Sequence, residues 1–72
     1  MKKMIGRYFS IIGDEVECTY LCPYCNEETT ASFELMNEEQ RALVTEESWF
    51  EELECGNCGK TSQVRFHQSM RV

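Results

Sequence analysis

Two cysteine turns, Cys22-Pro23-Tyr24-Cys25 and Cys55-Gly56-Asn57-Cys58, stand 29 residues apart and constrain the chain more than any other feature. A Cys-x-x-Cys turn is a rigid corner that points two sulfurs the same way, and two such corners complete a tetrahedral four-thiolate shell around one metal ion. The flanking residues repeat as well. At an offset of 33 residues, Cys22, Cys25, Ala31 and Phe33 align with Cys55, Cys58, Val64 and Phe66, and upstream Tyr20 aligns with Leu53. Each unit therefore reads as strand, cysteine turn, strand, and the expected metal ligands are Cys22, Cys25, Cys55 and Cys58.

The fifth cysteine, Cys18, aligns with Glu51, so the repeat gives it no ligand role. It alternates with Val16 and Tyr20 and is expected to be a small buried core residue. His67 shares the parity of Arg65 and is expected at the surface, on the face opposite Val64 and Phe66. An odd cysteine number argues against a secreted disulfide framework. Lys2 and Lys3 resemble the start of a signal peptide, but Gly6 and Arg7 break the apolar run at once. No stretch reaches membrane-spanning length. The expectation is a reducing cytoplasm and no membrane. A chain of 72 residues is expected to form a single domain, 1–72. At that size only about 60% of the unfolded surface is buried, so a metal staple is the natural supplement to a small core.

Local patterns supply the elements. Arg7–Ile12 carries Tyr8, Phe9, Ile11 and Ile12 and predicts a first, extra strand, closed by the turn residues Gly13-Asp14. From Glu15 the pattern alternates, with Val16, Cys18 and Tyr20 on one face and Glu15, Glu17 and Thr19 on the other, into the first cysteine turn. Thr29–Met36 alternates again through Ala31, Phe33 and Leu35. Asn37 followed by Gln40 is a capping box, and with Glu38 and Glu39 in the first turn it predicts a short helix near 38–45. Ser48 with Glu51 is a second cap signal, but the repeat favours a strand running through Leu53 into Cys55. The last strand carries Val64 and Phe66 on one side. Trp49, Phe50, Tyr8 and Phe9 are expected mostly in the core rather than as a base-stacking platform.

The net charge of −6 is unevenly spread. All thirteen acidic residues lie between Asp14 and Glu54, where Arg41 is the sole basic residue, so that segment carries −12. Lys2, Lys3 and Arg7 precede it, and Lys60, Arg65 and Arg71 follow, with no acid among either set. Such blocks are commonly solvated faces. They also suit a dipolar binding module.

Cys-Pro-Tyr-Cys resembles the redox motif of glutaredoxins, but Asn26-Glu27-Glu28-Thr29-Thr30 is not a helix start and Pro23 is the only proline. No enzymatic activity is expected. The cysteine spacing, acidity and aromatic content resemble rubredoxins, which implies one iron and electron transfer. Gly59 sits where that family expects a glycine, whereas Asn26 takes the place of the other. The widest resemblance, over Glu15–Phe66, is to the zinc ribbons. It rests on Cys-Pro-x-Cys and on Cys55-Gly56-Asn57-Cys58-Gly59-Lys60-Thr61. It implies a small, metal-stapled, mainly β, antiparallel fold with two knuckle hairpins, one structural zinc (iron being the alternative), and a setting among nucleic-acid or transcription machinery. The functional expectation is an adaptor or inhibitor on a basic protein partner, RNA polymerase or another nucleic-acid-binding protein. The alternatives are direct nucleic-acid binding through Arg7, Lys60, Arg65 and Arg71, and a rubredoxin-like carrier.

Overall fold

The computed structural model describes residues 1–72. In chain order it holds β1 (Lys2–Ile5), β2 (Tyr8–Ile12), β3 (Glu15–Leu21), β4 (Glu28–Glu34), α1 (Glu38–Leu43), β5 (Ser48–Glu54), β6 (Thr61–His67) and a final 3-10 turn, Gln68–Met70. The strands form two three-stranded sheets, ordered β2-β3-β4 and β1-β6-β5.

The internal repeat is carried through to the hydrogen bonds. β3 and β4 lie 33 residues before β5 and β6, and the register preserves that offset, Leu21 facing Glu28 as Glu54 faces Thr61. Both hairpins are antiparallel because a short turn can join strands only in that sense. β2 adds to β3 through the Gly13-Asp14 turn. β1 was not foreseen: it pairs in parallel with β6, Met4 opposite Val64. Lys2-Lys3-Met4-Ile5 has no alternation to announce a strand, and its partner lies some sixty residues away along the chain.

Side chains alternate across each strand, so each sheet offers one apolar face. Val16, Cys18 and Tyr20 with Phe9 meet Trp49, Leu53, Val64 and Phe66, all buried. Trp49 stacks on Phe66 at 4.9 Å between ring centroids, while Phe9 and Phe33 meet Trp49 edge-on at 5.1 and 6.3 Å. These residues close the end of the core remote from the cysteine turns. Between the hairpins, Asn37 caps α1 by accepting from the Gln40 amide at 2.9 Å, and the Gln40 side chain reaches back to the Met36 amide. The helix ends at Leu43, two residues short of expectation. Val44 caps it and is buried. The segment after α1 is tied down by Gln68, whose side-chain amide donates to the Val44 and Glu46 carbonyls at 2.7 Å each.

The expected third strand stops at Glu34, where Leu35 turns to donate its amide to the Asp14 carbonyl at 2.7 Å. Thr19 lies on the outer parity yet is buried, because β2 and β4 flank it and its hydroxyl meets that of Thr30 at 3.1 Å. Glu51 departs from the other glutamates of β5. It shares the inward parity of Trp49 and Leu53 and is half-buried, and desolvation, with a smaller contribution from Glu52, raises its carboxyl pKa. No helix is long and apolar enough to cross a membrane.

Candidate metal centre

The two knuckles have the same backbone. The Cys22 amide donates to the Glu27 carbonyl at 3.0 Å and the Asn26 amide to the Cys22 carbonyl at 2.9 Å; Cys55 with Lys60 and Gly59 with Cys55 repeat these bonds at 2.9 Å each. Both turns close on a left-handed residue, Asn26 at φ 59° and Gly59 at φ 74°. Asparagine and glycine are the residues that adopt this conformation most readily, which explains why they alone occupy these equivalent positions.

The repeat brings the knuckles face to face. Cys22 Sγ lies 3.6 Å from Cys58 Sγ and Cys25 Sγ 3.8 Å from Cys55 Sγ, contacts that the pseudo-symmetry exchanges. All four sulfurs fall within 4.8 Å of one another. A tetrahedral ion with metal–sulfur bonds of about 2.3 Å requires sulfurs about 3.8 Å apart. The four cysteines thus form a cluster able to hold a metal ion, of the zinc-knuckle or ribbon-like kind.

The backbone favours thiolates here. Amides of Cys58 and Asn57 bring the Cys55 thiol down to about 6, and the Asn57 amide lies 3.4 Å from that sulfur. Burial opposes ionisation of Cys22, but the Tyr24 and Cys25 amides outweigh it, and its pKa is lowered. The Lys60 amide favours a Cys58 thiolate, yet desolvation and hydrogen bonding among the crowded sulfurs push that thiol up to about 11. Four thiolates this close would repel one another, and a bound cation would offset that repulsion. The Asn57 side-chain amide crosses between knuckles to the Cys25 sulfur at 3.6 Å.

The sequence reading named the basic residues but not the gathering of Lys2 and Lys60 at the first knuckle. The Lys2 amide donates to the Tyr24 hydroxyl at 2.9 Å, and the ammonium groups of Lys2 and Lys60 lie 5.1 and 6.0 Å from the Tyr24 ring centre. Two cations therefore flank the first knuckle, and β1 delivers one of them, which is why local patterns gave no sign of it. Of the other basic residues, Arg7 pairs with Glu28 at 3.4 Å, Arg65 lies over Phe50 at 5.9 Å, and Arg71 sits beside Phe9 of β2. Cys18 is buried and free, and His67 is half-buried at the end of β6 away from the sulfurs. Comparisons with protein families, with curated proteins and with solved structures found no match.

Proposed function

We propose that the chain is a zinc-stapled binding module that docks on a basic protein surface, of the sort exposed by RNA polymerase and other nucleic-acid-binding proteins. Four thiolates leave no open coordination position, so the metal serves structure and not substrate. The observation that carries the docking reading is the outer face of the β2-β3-β4 sheet. Glu15 stands directly opposite Glu34, with exposed Glu17 beside them. The chain's two ion pairs use other acids, Glu28 and Asp14. Like charges opposed across strands destabilise a sheet, and a partner's cations relieve that repulsion.

The test is a pull-down with wild-type protein and the triple variant Glu15→Gln, Glu17→Gln, Glu34→Gln, at low and at moderate salt. Capture of basic proteins that is lost with salt and with the variant is expected; equal capture by both proteins overturns the reading. Elemental analysis should return one zinc per chain in colourless protein. A red, iron-bearing protein favours the electron carrier instead.

A further inference from the structure

The other sheet exposes a different chemistry. On the outer face of β1-β6-β5, Lys3, Ile5, Phe50, Gln63 and Arg65 line an open groove of about 240 Å³. Ile5 is 59% and Phe50 46% exposed. Lys3 and Arg65 belong to neither of the chain's ion pairs, and the Arg65 guanidinium lies over the Phe50 ring.

β1 is also a sheet edge with β6 as its only neighbour. The Gly6 amide donates to the Arg65 carbonyl at 2.8 Å, so by alternation the even residues of β1 turn their main-chain groups to β6. Those of Lys3 and Ile5 point outward, without a strand to receive them. Lysines on an edge commonly discourage association. An exposed isoleucine and phenylalanine in the adjoining groove have the opposite effect.

From these features we infer that this face binds an extended acidic peptide as an added strand on β1, one large apolar side chain entering the groove and a carboxylate meeting Lys3 and Arg65. Main-chain bonding supplies affinity in this mode and the side-chain pocket supplies selectivity. The groove is below the roughly 300–1,000 Å³ of small-molecule sites and suits one or two side chains. A single-stranded nucleic acid would also find an aromatic ring and two cations. However, Glu52 and Glu54 share this outer parity on β5, opposite Gln63 and Thr61. A phosphate chain carries charge at every nucleotide and meets both acids, whereas a peptide places its carboxylate at Lys3 and Arg65 alone. Nucleic acid also makes no use of an open strand edge.

The probe is a short, capped, fluorescent peptide alternating serine and valine, with one tryptophan and, two residues on, one glutamate in place of serines so that both share a face, titrated against the metal-loaded protein. Saturable binding is expected, with amide shifts in the NMR spectrum centred on Lys3, Ile5 and Arg65. The double variant Lys3→Glu, Arg65→Glu and the single variant Phe50→Ser should each weaken it by about tenfold or more. All three positions are exposed, and an unchanged NMR spectrum elsewhere verifies folding. Methylating alternate peptide nitrogens should abolish binding. Equal binding by the methylated peptide, indifference to the variants, or tighter capture of oligothymidylate by the same residues would each overturn the proposal. The acidic face of the other sheet takes no part, so this result and that of the pull-down are independent.

Discussion

Cys18 is the one thiol outside the cluster, and its surroundings make it chemically silent. Burial foremost, and then the negative charge of Glu51, push its pKa from 9.0 up to about 12. In the unfolded chain it ionises near the ordinary value, so above about pH 9 the unfolded state has lost a proton that the folded state still holds. Folding stability then falls as pH rises towards 12, and below pH 9 this group contributes no pH dependence. The slope is at most about 1.4 kcal/mol per pH unit. Cys18→Ala removes the sulfur's packing, at a cost of about 1 kcal/mol at neutral pH, and removes the alkaline loss too. Urea unfolding at several pH values should therefore show the variant less stable at pH 7 and the difference shrinking or reversing above pH 10. The metal content should be unchanged, and loss of the metal in this variant would refute the four-ligand set.

At the scale of elements, how much was legible depended on how local the signal was. Alternation, caps and turn residues lie within a few positions of one another, so β2, the two repeated hairpins and α1 were foreseen to within about two residues. Glu51 was hidden because an acid at an inward position contradicts the pattern that defines the face. β1 was hidden because a parallel strand depends on a distant partner. Gly6, which ends β1, appeared from sequence only as a break in an apolar run, yet it lets the chain cross Phe66. A Cβ built at Gly6 would lie 2.1 Å from the Phe66 ring, and Phe66 has no room to move, being stacked on Trp49 within the core. Gly6→Ala should cost about 3 kcal/mol by overpacking. It should also loosen β1, seen as faster amide exchange at Met4 and Gly6, whose main-chain groups face β6, than at Val64. A variant with wild-type stability would show that this crossing is not as tight as described.

For the whole molecule, the two sheets are joined at one end by aromatic packing and at the other by the sulfurs, and the balance between these ends decides what metal removal does. A chain of 72 residues has a net stability of about 4–11 kcal/mol at the usual per-residue value. A structural four-ligand metal is worth about 10–16 kcal/mol, which equals or exceeds that total. The remaining core holds only twelve buried apolar or thiol side chains, two of them the cysteines Cys22 and Cys55. Without the metal, those two thiols lose the partner that justified burying charged sulfur, and Tyr20 and Leu53 beside them lose the fixed knuckles that cover them. A chelator in excess should therefore unfold the chain rather than merely loosen its tip. The aromatic end reports on this directly: Trp49 is 1% exposed, so its emission should shift to the red while the far-ultraviolet strand signal collapses. Restoring zinc under reducing conditions should reverse both changes. Acid should act like the chelator, because protons compete with the metal for the thiolates. If protein shown by elemental analysis to be metal-free keeps its native spectrum and a buried Trp49, the aromatic end suffices to hold the sheets together, and the metal is not the staple of this fold.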